Sequence, residues 1–371
     1  MAAAPSPPPW SFMWESEGEV APGVCSVRWE CPLTRWHFNR LFAGLLSKDA
    51  DALRESARAR VRARGDPRAE QGLEAALKHV EALASLKSDA DFASSPAVPS
   101  FYSRTHVIRL ATGGLLLHAP GPMDDEELVK HITSVGDGKV AVVLVPSTGH
   151  NLYVQQARER FPGALLVAPR GFRATYGHLG AAVDVELPLG PGTDEDSPAG
   201  RRTLTSLLGA NGISYHHVTP AVDELCLLHE PSGTLLTCDL LCSSARHAPG
   251  EPVTALRGPP ESSWLAELHA LLFLETSPNG RLPLYRCQLA AGEASRASME
   301  AGVDALLKLR FDRVLGAHLP PTEGSDAAHQ IIRDHWAWLW EVDKHHDIIL
   351  SPRAGAGAAS PGFGRAPAEE T

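Results

Sequence analysis

No apolar run in this 371-residue chain approaches the length of a membrane span, so nothing in the sequence calls for a bilayer. Positive charge is scarce. With 34 Lys and Arg against 44 Asp and Glu, the net charge is −10, which argues against nucleic acid or an anionic membrane as the main partner. The six cysteines form no CxxC pair and show no disulfide rhythm, in keeping with a reducing compartment. Met1 to Pro9 lack the basic start and sustained apolar stretch of a secretory signal. Glu15, Glu17 and Glu19 precede the first basic residue, Arg28, which suits a transit peptide poorly. The expected location is cytoplasmic. There is also no GxSxG elbow, no Walker A loop and no GxGxxG after a strand. Ser147 stands close to His150, but residues of one tight turn lack the oriented third partner of a triad.

Hydrophobic residues make up 43% of the chain, enough for a sizeable core, while 30 prolines and 32 glycines place many residues in loops. Residues 1–20 are Pro-rich and acidic and read as a disordered leader, and 21–100 as a helical N-terminal region with a linker, opened by a stretch from Cys25 to Trp36 that could add a strand or an irregular lip. Apolar spacing predicts helices over 36–46, 49–64 and 71–87. The second is rich in arginine (Arg54, Arg58, Arg60, Arg62, Arg64) with no aromatic residues between, which fits a solvated face better than a nucleic-acid patch.

From Phe101 strands dominate. Thr112-Gly113 marks a hairpin between Thr105–Leu110 and Gly114–His118. Strands and helices then alternate as far as Val167. Leu225–His229 and Gly233–Thr237 turn back on each other around Pro231-Ser232-Gly233, an antiparallel hairpin that counts against a purely parallel sheet. Helices are predicted at 264–275, 294–310 and 326–342, with a short strand at Arg313–Leu315 and a disordered tail at 351–371.

The most informative pattern lies where three strands stop. Val140–Val145 runs into Pro146-Ser147-Thr148-Gly149-His150, Gly233–Thr237 into Cys238-Asp239, and Arg313–Leu315 into Gly316-Ala317-His318. His150, Asp239 and His318 are the candidate metal ligands. Three protein ligands plus water is the count of a catalytic zinc, well short of a two-metal site. The alternative is that all three are edge residues serving loop hydrogen bonds.

These segments resemble the metallo-β-lactamase superfamily, and within it a branch known mostly as a domain of unknown function. The similarity spans about Phe101 to Val342. It rests on the opening hairpin, on Val145-Pro146-Ser147-Thr148-Gly149-His150-Asn151-Leu152-Tyr153, on Gly233-Thr234-Leu235-Leu236-Thr237-Cys238-Asp239, and on Val314-Leu315-Gly316-Ala317-His318-Leu319-Pro320-Pro321. The resemblance implies an α+β fold, an αββα four-layer sandwich over 101–350. It also exposes a depleted metal loop. With His150 on the second His of the family's HxHxDH pattern, Thr148, Leu152 and Tyr153 occupy the other ligand positions. A further expected His is absent from Val218–Glu224, although His216 and His217 lie just upstream, where at most one can face the site. Cys238 replaces the usual Gly; it and Cys242 could contribute a thiolate, though buried cysteines near a strand end more often serve as small core residues. Arg170 and Arg173 read as surface arginines, and His345-His346-Asp347 as solvated.

The resemblance thus implies this fold with a thinned-out site. One expectation is a non-hydrolytic binding or scaffolding protein with no metal or one zinc ion and a small-molecule ligand. The other is a single-metal hydrolase of a small ester, thioester or lactone. Fold alone does not choose between them, and no protein partner is indicated.

Overall fold

In the computed structural model the described residues are 13–32, 67–95, 100–188, 198–218, 223–242, 256–257 and 293–336, with isolated positions besides. The predicted helices at 36–46 and 264–275 and the predicted tail at 351–371 lie outside them, as do residues 1–12.

The strands in chain order are β1 Met13–Ala21, β2 Val24–Pro32, β3 Ser100–Arg109, β4 Leu115–His118, β5 Val140–Leu144, β6 Leu165–Pro169, β7 Val185–Leu187, β8 Ile213–Val218, β9 Glu224–His229, β10 Thr234–Cys242, β11 Leu256–Arg257 and β12 Arg313–Glu323. The helices used below are α1 Pro67–Ala84, α2 Asp89–Ser94, α3 Glu126–Ser134, α4 Val154–Arg160, α5 Phe172–Thr175, α6 Gly177–Gly180, α7 Pro198–Ala210, α8 Glu293–Leu307 and α9 Ser325–Trp336.

Two mixed sheets result. The first runs β1-β2-β3-β4-β5-β6-β7 with β11 beside β3, and the second runs β12-β10-β9-β8. The first is antiparallel as far as β4 and parallel beyond it. In the second only β10 and β12 are parallel. Alternation along each strand builds the layers. Leu116 of β4 and Leu225 and Leu227 of β9 face each other in the core between the sheets. Their neighbours point outward. Leu115 and Leu117 pack with Leu128 and Ile132 of α3 and Val154 of α4. Cys226 and Leu228 pack with Leu77 and Val80 of α1, Val303 of α8 and Ile332 of α9. The order helix, sheet, sheet, helix is the expected αββα sandwich. Each fully buried Leu adds about 2 kcal/mol to the burial that holds the layers together.

Local signals agree with this arrangement. Gly113 and Gly114 adopt φ of 91° and 86°, which lets the β3–β4 hairpin close where a side chain would strain. Asp125 caps α3 by accepting from the Leu128 amide at 2.9 Å, a contribution of about 1 kcal/mol.

The N-terminal expectation is overturned. Residues 13–20 are not a leader, while 24–32 take up the strand that the Cys25–Trp36 stretch could add. They form a hairpin that pairs with β3 from Val24 to Pro32. The boundary expected at 101 therefore falls inside one sheet, and α1 belongs to its outer helical layer on the second sheet. Pro22-Gly23, with Gly23 at φ 76°, has the residues of a tight turn. The glutamates that resembled a disordered segment are cross-strand partners on an edge strand. Glu15 pairs with Arg28 and Glu19 with Arg109, and Glu17 accepts from the buried Arg104 Nε at 2.9 Å. Burial works against the Glu17 charge, but Arg104 outweighs it and holds the carboxyl below its usual range. Likewise Arg54 and Arg58 reach Glu81 and Glu74 of α1 at 2.8 Å and 2.6 Å, so these arginines serve helix packing.

His106 and His118 are the polar exception in the inter-sheet layer. They are cross-strand neighbours on β3 and β4, their ring centroids are 5.7 Å apart, and both are fully buried. Burial, then the charge of Arg104, lowers His106 to about 4. His118 is pushed down by burial and by the neighbouring His106 and His150. Both are neutral when folded, whereas the unfolded chain takes up these protons near pH 6.5. The stabilisation they allow is complete above that pH and is lost as pH falls toward 4. Replacing His106 by Leu should flatten the pH dependence of urea unfolding, removing about 2 kcal/mol of the loss between pH 7 and pH 5.

Candidate metal centre

One turn, two strands and one bulge carry the site. His150 ends the turn after β5, where its amide reaches the Ser147 carbonyl at 3.1 Å. Asp239 and His318 lie within strands rather than past their ends, because β10 and β12 run on beyond the predicted stops at Thr237 and Leu315. Thr237 pairs with Gly316 and Cys242 with His318. Cys238, Asp239, Leu240 and Leu241 therefore stand opposite Ala317 alone. That bulge breaks strict alternation and swings Cys238 and Asp239 toward the same place.

A bulge leaves backbone amides without ladder partners, and Glu224 supplies them. Its two carboxylate oxygens accept from the amides of Cys238 and Leu240, each at 2.7 Å. Glu224 is wholly buried, opens β9 and forms an isolated bridge with Ser147. The next residue, Leu225, donates its amide to the Pro146 carbonyl at 2.7 Å. One residue thus ties the His150 turn to the Cys238-Asp239 bulge. Burial, then the nearby Asp239 charge, pushes the Glu224 carboxyl up to about 8 despite the hydrogen bonds it accepts.

The predicted ligands meet. His150 Nε2 lies 2.8 Å from His318 Nε2, and Asp239 Oδ1 is 3.3 Å from His318 Nε2 and 3.8 Å from His150 Nε2. The Cys238 thiol joins them, so that one ligand atom from each of these four residues lies within 4.8 Å of all the others. The other oxygen of Asp239 accepts from the Ser147 hydroxyl, which in turn accepts from the Gly149 amide at 2.9 Å. Burial disfavours the Asp239 charge, yet the two imidazoles and Ser147 hold its carboxyl well below the usual range. A Cβ on Gly149 would sit 2.7 Å from Asp239 Oδ2, so only glycine lets the turn approach.

Other sequence candidates go elsewhere. Leu152 is 41% exposed, and Tyr153 turns its ring edge-on to Trp29 at 5.2 Å. The Thr148 carbonyl accepts from the Tyr176 hydroxyl at 2.8 Å. His217 pairs with Asp223 at 2.6 Å, and His216 lies near Ser214. Arg173 donates to the Val183 carbonyl at 3.0 Å, and Arg170 to the Pro188 carbonyl. His345, His346 and Asp347 lie outside the described residues. Cys238 is a buried small residue and also stands in the ligand cluster, so both sequence readings of it remain open. A signal was available, since a Cys directly before a strand-end Asp departs from the Gly of the resemblance. Glu224 had no sequence signal, because nothing local says that its carboxylate serves a bulge some fifteen residues away.

Two mixed sheets, helices on both outer faces and a ligand cluster on the edge where β5, β10 and β12 meet define the architecture. It is an αββα sandwich, the architecture that the resemblance implies. No protein-family model and no curated relative matches the sequence. Similar solved structures include a putative diflavin flavoprotein fragment from Nostoc sp. PCC 7120, with TM-score 0.45, 13% identity, 88% of this chain covered and 97% of that one. TMB-1 matches at TM-score 0.41 and 9% identity over 86% and 95% of the two chains. A metallo-β-lactamase from Pontibacter korlensis matches at 0.37 and 13% over 62% and 86%. Among the described residues no helix is long and apolar enough to cross a membrane.

Two substitutions probe this framework. Glu224→Leu strands two buried amides and should cost on the order of 3 kcal/mol in urea unfolding. Gly149→Ala should leave the core intact but lower zinc affinity by roughly tenfold or more in a competition titration, because it displaces Asp239.

Proposed function

We propose that this chain holds a single zinc ion on His150, Asp239 and His318 and lacks two-metal hydrolytic chemistry. The carrying observation is the spacing of the three donor atoms. Tetrahedral zinc at its usual bond lengths wants ligand atoms about 3.3 Å apart, and the separations of 2.8, 3.3 and 3.8 Å bracket that value. The donor types fit as well, since imidazole and carboxylate are ordinary zinc ligands. Asp239 is kept ionised by its neighbours, ready to ligate without first losing a proton.

A second metal has little to hold it. Leu152 offers no donor atom, and the Tyr153 ring is engaged by Trp29. Among the described residues only one cluster of at least three ligating side chains occurs. A bound zinc would supply Lewis-acid polarisation at one point, without the second ion that clamps the attacking and leaving groups in two-metal hydrolysis. This supports a binding or scaffolding role over two-metal hydrolysis, and the proposal includes a small-molecule ligand and a cytoplasmic location.

One observation favours the runner-up, a one-metal hydrolase of a small ester, thioester or lactone. Ser147 occupies Asp239 Oδ2, so Asp239 presents one oxygen and the three residues leave a fourth position open. Protein purified without added metal and then loaded should hold about one equivalent of zinc. Asp239→Ala and His318→Ala should each weaken that binding by at least about a hundredfold. Thioester and lactone turnover should stay at background. Two tightly held equivalents, with turnover abolished by either substitution, would overturn the proposal. One equivalent with the same loss of turnover would favour the hydrolase.

A further inference from the structure

We infer that Cys238 is the fourth ligand of the ion, so that the protein itself closes the coordination shell. The inference rests on the one-metal reading above and adds to it the donor that decides whether water can enter.

Geometry carries it. Consecutive residues of a regular strand point to opposite faces, so Cys238 and Asp239 would not normally serve one point. Here the bulge opposite Ala317 removes that restriction, and the Cys238 sulfur lies within 4.8 Å of the ligand atoms of His150, Asp239 and His318. Cys238 is also held from behind, because its amide donates to Glu224 at 2.7 Å, which fixes the residue that aims the sulfur. It forms no disulfide and is fully buried, against Ala119 and Ala317. The small size of these two neighbours leaves the sulfur next to the ligand cluster rather than under a large side chain.

The chemistry then sharpens. Two imidazoles, one carboxylate and one thiolate make a complete tetrahedral set, the count of a closed zinc site. A thiolate also biases the site toward zinc or cobalt and away from magnesium or manganese. On binding, the Cys238 S–H bond breaks, sulfur donates its electron pair to the metal, and one proton leaves to solvent. With all four positions filled by protein, no metal-bound water remains to attack a substrate. That accounts for a binding or scaffolding role better than three ligands do.

Cobalt(II) loading of the full chain under reducing conditions tests this, because thiolate ligation gives a near-ultraviolet charge-transfer band besides the visible bands of tetrahedral cobalt. The wild type should show that band with one equivalent bound, and the partly exposed Cys25→Ser control should retain it. Cys238→Ser should lose it and bind zinc at least about tenfold more weakly. Cobalt bound without the band would overturn the role of Cys238 while leaving the three-ligand site standing. Failure to bind either metal would instead sink the one-metal reading, and this inference with it. Should Cys238→Ser not fold, zinc-edge X-ray absorption of the wild type decides. A sulfur neighbour at about 2.3 Å is expected, and a shell of nitrogen and oxygen alone would refute the assignment.

Discussion

The candidate centre hangs on one buried carboxyl group. Glu224 accepts the Cys238 and Leu240 amides, and these are the groups a bulge would otherwise leave unpaired in a dry interior. Without that acceptor the economical course for β10 would be to pair straight along β12, and Asp239 would face away from its neighbours. The same residue sits across from Ser147, so the strand that anchors the bulge also positions the His150 turn. Stability and site geometry are therefore not separable here. An acceptor that relieves an unsatisfied backbone is also the device that assembles the ligands.

A second constraint is the tight approach at Gly149. Asp239 is flanked by the Ser147 hydroxyl on one oxygen and by His318 on the other. This fixes the direction of its carboxylate much as an outer-shell hydrogen bond orients a metal ligand. On the far side of the loop Tyr153 does packing work. It joins Trp29, which itself donates to Thr105 at 3.0 Å, and Thr105 donates to the Ala119 carbonyl at 2.8 Å. These contacts link the His150 turn to the N-terminal hairpin.

The hairpin and the arginine-rich stretch teach a common lesson about charge. Runs of glutamate and arginine look solvated when read along the chain, yet Glu17 meets Arg104 and Glu74 meets Arg58, partners distant in sequence. Where such a pair is buried, as with Arg104, it fixes which strand lies beside which. Where it is exposed, it adds only a few tenths of a kcal/mol.

Much of the sandwich was legible because period and punctuation are local. Short apolar runs marked β3, β4, β5 and β9, Thr112-Gly113 and Pro231-Ser232-Gly233 marked turns, and three strand ends pointed to His150, Asp239 and His318. What the chain could not reveal on its own were events that depend on distant partners. Residues 13–32 became strands because β3 offered a free edge and arginines to match their glutamates. Cys238 became a site residue because a bulge, stabilised by Glu224 from another strand, cancelled the alternation that would have turned it away. Sequence by itself determined which residues can ligate and roughly where their strands begin. Tertiary structure alone decided which of them converge, because convergence is set by sheet register and by where buried backbone groups find their hydrogen-bond partners.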